Sequence, residues 1–240
     1  MIEGMLAEGG LAQLLGIMAP EQELDDGEVA SIRQIQPTVK RYAPRDEISA
    51  QGDPSDTTYI VISGWGCTYI DLPDGSRQIA DFQLRGDIIG LRAIGANWEE
   101  SFHAISDMEV LELPTSDLNR TLSATPSLAV RFLFALARNS AIRGEHIVNI
   151  GRRNAAVRLA HLMLELGTRL ESVGLAEADG YDCPLTQYDL ADALGLTPIH
   201  VNRMLRELRQ SDLLSFRNGR VKFVNRDALV SFAHFEPDYL

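Results

Sequence analysis

Apolar spacing divides the chain into a strand-like half and a helix-like half. Between Pro37 and Pro114 short apolar runs recur: "TVKRY", "TTYIVISG", "CTYIDL", "RQIADFQL", "DIIGL" and "EVLELP". Turn residues separate them at Gly52-Asp53-Pro54, Gly64, Pro73-Asp74-Gly75 and Gly86-Asp87. Many short strands at near-regular spacing predict an antiparallel barrel or jelly roll. Residues up to about Asp25 lack a strong pattern and are expected to form a loose leading helix. From Pro126 to Ile150 the period becomes helical, with Thr125 as the expected N-cap. Leu133, Leu136, Ser140, Arg143, Ile147 and Ile150 fall at three- and four-residue steps, with Phe132, Phe134 and Ala137 beside them. One face does not need that much apolar surface. The pattern predicts a helix buried on two sides, one on its own barrel and one on a partner helix. A single thick core stripe is the alternative, and helical spacing alone does not separate the two.

After Gly151 the helical pattern restarts in "NIGRRNAAVRLAHLMLELGTRL", which makes the glycine and its two arginines a hinge candidate. Val173–Pro184 is an acidic, glycine-containing stretch. Its Glu177, Asp179 and Asp182 fit no calcium-loop spacing, so it reads as a solvated connection. The fold class is α+β: an N-terminal antiparallel β-roll over 1–125, a dimerisation helix over 126–150 and a winged helix-turn-helix over 151–240.

The last third carries the sharpest signals. "TQYD" at 186–189 is a capping-box pattern with Asp189 in place of the usual Glu. Gly195 stands where a left-handed residue ends a helix, Thr197 caps the next one, and Pro198 takes its first position. Val201, Met204, Leu205 and Leu208 form one narrow arc; Ile199, Asn202, Arg203, Arg206 and Gln210 form the opposite one. The inner arc packs on the preceding helix, and the outer arc is free to enter a major groove. Arg203 can fork onto guanine O6 and N7, and Ile199 can touch a thymine methyl. Thr197 and the helix N-terminus can hold a phosphate. "SFRNGRVKFV" reads as a hairpin turning at Asn218-Gly219, a basic wing for phosphates. The expected DNA-facing set is Thr186, Gln187, Thr197, Pro198, Ile199, His200, Asn202, Arg203 and Arg206, with Arg217, Asn218, Arg220 and Lys222 from the wing. Leu133, Leu136, Ser140, Ile147 and Ile150 are the expected dimer residues.

Composition changes this picture in one respect. The 240 residues carry a formal net charge of −12, which by itself argues against nucleic acid. Distribution matters more than the sum. From Arg203 to Arg226 there are seven basic residues and two acids, Glu207 and Asp212. No run of about eighteen apolar residues occurs, so no membrane span is expected. The start "MIEGMLAEGG" is acidic, unlike a secretory signal. Cys67 and Cys183 lie far apart in sequence, a disulfide framework is not expected, and the chain reads as cytoplasmic.

"YIVISGW" (59–65), "RGDIIGL" (85–91), "GRRNAAVRLAHLMLEL" (151–166) and "LTQYDLADALGLTPIHVNRMLRELRQSDLL" (185–214) together resemble the Crp/Fnr superfamily of bacterial transcription regulators. The resemblance covers nearly the whole chain, in the family's domain order. It implies a cyclic-nucleotide-type β-roll, a long dimerisation helix and a winged helix-turn-helix. It also implies a homodimer that reads a pseudo-palindrome in double-stranded DNA and controls transcription through RNA polymerase. The family's phosphate-binding Ser/Thr corresponds to Thr197 and its base-reading Arg to Arg203. Its common base-reading Glu is Ile199 here, and an Arg or Val beside it is Pro198, so the target sequence does not carry over. The pocket departs further. The ribose-binding Glu of cyclic-AMP receptors is Leu91, and their Arg-Ser pair falls in "NWEESFHA", which has Glu99 and Glu100. Carboxylates there would repel a phosphate. Gly90, Leu91, Arg92, Ser101 and Arg143 are the residues that could line a pocket for some other molecule. The resemblance's iron–sulfur branch needs an N-terminal cysteine cluster, and this chain has none. His103, His146 and Cys67 are the residues a heme would call on, and each reads as an ordinary residue. No metal-ligand spacing is present. The expectation is no cofactor, no metal, an unknown effector other than cyclic AMP, and no membrane partner.

An enzyme is not expected: there is no nucleophile elbow, P-loop, HExxH or paired-carboxylate arrangement. A ligand-binding β-roll acting through protein partners explains residues 37–114 but leaves 185–224 idle. A dimeric architectural protein would bind without sequence preference, which the mixed Ile199, Asn202 and Arg203 face argues against.

Overall fold

The structure, a computed structural model, describes residues 24–54, 56–91 and 100–240. It resolves into two compact units, each with its own core. One comprises the chain through Thr68 with Phe82–Asn139, the other Tyr69–Asp81 with Ser140–Leu240. The division falls after Asn139, inside a helix, and residues 69–81 group with the second unit.

The first unit holds most of the β-roll. The roll's strands are β1 (Thr38–Tyr42), β2 (Glu47–Ser49), β3 (Thr57–Ser63), β4 (Gly66–Asp71), β5 (Arg77–Gln83), β6 (Ile88–Ile89), β7 (Ser101–Ala104) and β8 (Met108–Pro114), of which β4 and β5 run partly within residues 69–81. They form two four-stranded sheets, ordered β1-β8-β3-β6 and β2-β7-β4-β5. β3 and β8 run antiparallel, with Ile60 opposite Leu111 and Val61 opposite Val110. Residues of β3 serve two cores. Tyr59 and Val61 pack with Ile89, Phe102, Ala104, Met108 and Val110. Ile60 packs with Ile88, Leu111 and Leu113 against Ile32, Leu118, Leu128 and Phe132. A strand buried on both faces explains the continuous apolar run "YIVI" where alternation would mark a half-exposed strand.

Two helices of this unit were not anticipated: α1 (Asp26–Gln34) and α2 (Thr115–Ala124). α1 opens on a reciprocal capping box, Glu28 N–H donating to Asp25 Oδ1 at 2.7 Å and Asp25 N–H to Glu28 Oε2 at 3.1 Å. The same Glu28 takes two charge-assisted bonds from Arg131, through Nε and Nη2, each at 3.0 Å. Arg131 donation and the caps hold the Glu28 carboxyl below its ordinary range against the opposing effect of burial. This bidentate pair, 103 residues apart, fixes α1 on the long helix α3 (Pro126–Arg152). The Thr125 hydroxyl, expected to cap α3, pairs instead with Ser31 Oγ at 2.7 Å.

α3 has two faces. Leu128, Phe132, Ala135 and Ile142 are buried. Val130, Leu133, Ala137, Ser140, Gly144, Ile147 and Gly151 are exposed, with Phe134, Ala141 and Val148 beside them. Their steps of three and four residues make a heptad seam. Leu136 and Ile150, expected in this seam, are half-buried at its edge. Nothing lies within 4 Å of a Cβ built on Gly144 or Gly151. The helix also runs through Gly151, contrary to the expected hinge there. The break falls at Arg153–Asn154, and Asn154 caps the next helix by accepting from Val157 N–H at 3.1 Å.

Candidate nucleic-acid interface

α4 (Ala155–Ser172) is the platform of the second unit. It is buried almost all round, and its polar members His161, Glu165 and Arg169 are buried too. Glu165 accepts from His146 Nε2 at 2.8 Å, Tyr239 OH at 3.0 Å and Arg169 Nη1 at 3.4 Å. Arg169 Nη1 also donates to Asp81 Oδ1 at 3.0 Å. His146 Nδ1 faces the Ala80 carbonyl at 3.0 Å. Both ring nitrogens of His146 therefore meet acceptors, so the ring is the doubly protonated imidazolium. Burial opposes that charge, but the Glu165 carboxylate outweighs it and pushes the His146 pKa up to about 9. Burial also opposes the Glu165 charge, and His146 and Arg169 hold it ionised. His161 goes the other way: burial and the Arg153 cation push it down to about 4, and Arg153 itself pairs with Glu145. Asp81, His146 and Glu165 bring three potential ligand atoms within 4.8 Å. Arg169 already bridges the two carboxylates, and with His146 it balances their charge, so this group does not fit a metal ion.

On this platform stands the helix pair. α5 (Gln187–Leu194) starts at Thr186, whose side chain accepts from Asp189 N–H while Asp189 accepts from Thr186 N–H at 2.8 Å. The expected Asp variant of the capping box is thus formed. α5 ends at Gly195 with φ +63, the left-handed geometry the turn requires. Thr197 accepts from His200 N–H at 3.2 Å and opens α6 (Pro198–Gln210). Val201, Met204, Leu205 and Leu208 are buried; Ile199 is 85% exposed, and Asn202, Arg203 and Arg206 are exposed beside it. Asn202 Nδ2 donates to Gln187 Oε1 at 3.2 Å, tying the two helices at their outer surface. Arg203 Nη2 lies 2.8 Å from His200 Nε2. The hairpin tip at residues 69–81 braces α5: Arg77 donates to Asp192 Oδ2 at 2.8 Å and Asp189 Oδ1 at 3.2 Å, and Gln78 to the Ala193 carbonyl at 3.1 Å. Sequence reasoning missed this brace, because the partners are more than a hundred residues apart.

The wing is β10 (Leu214–Arg217) and β11 (Arg220–Phe223), with Asn218 and Gly219 both at positive φ as the turn demands. A third strand, β9 (Gly180–Asp182), pairs with β11 and corrects the reading of 173–184 as a solvated connection. A Cβ on Gly180 would sit 2.1 Å from the Val221 carbonyl oxygen, so only glycine permits that pairing. The pairing brings the acidic stretch onto Arg220, which contacts Glu177 at 2.9 Å, Asp182 at 3.1 Å and Asp179 at 3.9 Å. Arg226, after the wing, pairs with Glu171 at 2.8 Å and lies over the Phe223 ring. Arg206, Arg217 and Lys222 form no ion pair among the described residues. α7 (Arg226–Ala233), unanticipated, follows the wing.

The expected pocket residues fare unevenly. Ser101 is buried, and its Oγ accepts from Gln51 N–H at 3.0 Å. Gly90 and Leu91 are half-buried, and Leu91 packs against the β3–β8 core. Arg143 is half-buried on α3, within the second unit. Arg92 and Glu99 lie outside the described residues. Cys67 Sγ is 3.4 Å from His103 Nε2, so two of the three candidate heme ligands already engage each other, and His146 serves Glu165. A groove of about 470 Å³ opens elsewhere, lined by Arg41, Tyr42, Ser63 and Glu109.

Residues 39–125 match the family model described as a cyclic nucleotide-binding domain, and residues 157–232 the Crp-like helix-turn-helix domain. The structure of FixK2 from Bradyrhizobium japonicum is 30% identical, with a TM-score of 0.75, over 81% of this chain and 96% of that one. The chain belongs to the Crp/Fnr family of transcription regulators. The fumarate and nitrate reduction regulatory protein of Vibrio cholerae is 26% identical over 211 residues, 88% of this chain and 84% of its own. That of Escherichia coli is 28% identical over 185 residues, 76% of this chain and 73% of its own. As a Crp/Fnr-type regulator the chain is a DNA-binding protein, not an enzyme. The helix pair and wing described above are the part of it that the helix-turn-helix model spans.

Proposed function

We propose that the protein acts as a homodimer in the cytoplasm, reading a pseudo-palindromic DNA site and regulating transcription through RNA polymerase. The observation that carries this reading is the outer face of α6. Ile199, Asn202, Arg203 and Arg206 stand exposed on a helix whose other face is anchored to a buried platform. Such a face offers a guanidinium fork, an amide and a methyl surface, the three chemistries that read base edges in a major groove. Pairing follows from the heptad seam of α3, an apolar stripe whose small members Ala137 and Gly144 allow close approach of a twin. Two copies so joined present two reading helices to half-sites about one helical turn, roughly 34 Å, apart.

By the family resemblance, Leu91 falls where cyclic-AMP receptors carry a ribose-binding Glu, and Glu99 and Glu100 fall where they carry an Arg-Ser pair. We therefore infer an effector other than cyclic AMP, and no iron–sulfur cluster, since the chain has only two cysteines. Selection of bound sites from random duplex DNA by the purified protein tests the reading. An enriched inverted repeat is expected; enrichment of no sequence would overturn it. Calorimetry with cyclic AMP and cyclic GMP tests the pocket. Micromolar binding of either, coupled to a large gain in DNA affinity, would defeat the effector inference alone.

A further inference from the structure

On the reading helix only one guanidinium is oriented by the helix itself. Arg203 Nη2 lies 2.8 Å from His200 Nε2, one turn back on α6. Arginine has no acceptor, so in this contact the guanidinium donates and Nε2 accepts. His200 is itself anchored, because its backbone N–H donates to the Thr197 cap at 3.2 Å. No carboxylate competes for the guanidinium: the neighbouring outer position is Ile199, and Glu207, one turn ahead, forms no ion pair among the described residues. Nη2 has a second N–H, so the bond to His200 leaves the Nη1/Nη2 fork open for a base.

We propose that His200 is a specificity-determining positioning residue, which holds the Arg203 guanidinium in the orientation that reads a base. The inference rests on the reading of Arg203 as a base contact. An arginine free on an exposed helix must surrender rotamer freedom when it docks on guanine. One already tethered through Nη2 has surrendered part of it, and off-register placements on a wrong base then require breaking the tether. His200 acts through Arg203, so its effect falls on discrimination between sequences and not on general attachment to DNA.

The test compares wild type with His200→Leu, His200→Gln, Arg203→Ala and the His200→Leu/Arg203→Ala double variant. Each is titrated against the selected site, the same site changed at each base pair in turn, and random duplex. Leu fills the space without an acceptor; Gln restores one in Oε1. His200 is half-buried, and melting curves confirm that each variant folds. His200→Leu is expected to lower preference at one base pair per half-site by roughly three- to tenfold, the size expected when one long side chain is freed. Random-duplex affinity should hold, Gln should recover most of the preference, and Leu should add nothing in the Arg203→Ala background. Unchanged preference in His200→Leu, equal loss on all sequences, or additivity in the double variant each overturns the proposal. If Arg203→Ala also leaves preference intact, the parent reading of Arg203 fails with it; if only Arg203→Ala changes preference, the role of His200 alone is refuted.

Discussion

The reading helix and the wing are both basic in sequence and differ in space. On α6, Arg203 meets the His200 imidazole and Arg206 forms no ion pair among the described residues. On the wing, three carboxylates from the 177–182 stretch surround Arg220, while Arg217 and Lys222 form no ion pair among the described residues. The seven basic residues from Arg203 to Arg226 thus do not act as seven equal cations. Charge density along a chain becomes charge density on a surface only if no distant segment returns with the opposite sign. Here one does, through the β9–β11 pairing that Gly180 permits.

Both surfaces are presented twice only if α3 pairs as proposed, so its seam is the largest lever. Leu133→Glu would bury an unpaired charge in each half of the proposed α3 pair, a penalty of about 3–5 kcal/mol for an isolated buried charge. Sedimentation should then show monomers, and tight binding should vanish for helix and wing alike. A dimer that survives the change would move the interface off this stripe.

Next in size is the platform that carries both surfaces. The folded pKa of His146 is raised to about 9 by Glu165, above the ordinary histidine value of about 6.5. Its contribution is therefore complete below pH about 6.5 and is lost as pH rises through 9. Melting temperature should fall between pH 7 and pH 10, and His146→Gln should lower stability at pH 7 while flattening that alkaline fall. An equally steep decline in the variant would place the titrating group elsewhere.

Much of the reading surface was legible because its signals are local. A capping box at 186–189, a left-handed glycine at 195 and a Thr-Pro start at 197–198 each act within four residues, and each formed. The Asn218-Gly219 turn is of the same kind. The missed features are those that a sequence separation hides. Glu165 reads as an ordinary polar position in "HLMLELGTRL", yet it is wholly buried, because His146 and Tyr239 come to it from distant parts of the chain while Arg169 joins them from one turn along its own helix. Glu28 and Arg131 find each other across 103 residues. The helix α1 could have been found from Asp25 and Glu28, a D-x-x-E capping box in plain view.

Removing the acids of the wing sharpens the contrast directly. Glu177→Gln with Asp182→Asn should release Arg220 and strengthen binding to random DNA, by less than about tenfold because all the partners are exposed. Site preference should not change, since the wing is expected to meet phosphates and not base edges. Weaker binding in this variant would mean that the carboxylates hold the wing in shape and not in check.

The smallest effect discriminates most finely. A cation that neutralises one phosphate contributes about 0.9 to the slope of log affinity against log salt. Lys222, which forms no ion pair among the described residues, should contribute its full share, so Lys222→Ala should lower the slope by about one unit per chain. Arg220 must leave Glu177, Asp179 and Asp182 before it meets a phosphate, and those carboxylates then stand exposed beside the DNA. Its net release of counterions should be smaller, and Arg220→Ala should change the slope less than Lys222→Ala does. In the Glu177→Gln/Asp182→Asn background the two substitutions should become alike. Titrations over a range of salt on one DNA decide it. Equal slopes in the wild-type background would show that DNA draws Arg220 away from its acids without cost, and the distinction between the two surfaces would then exist only in the free protein.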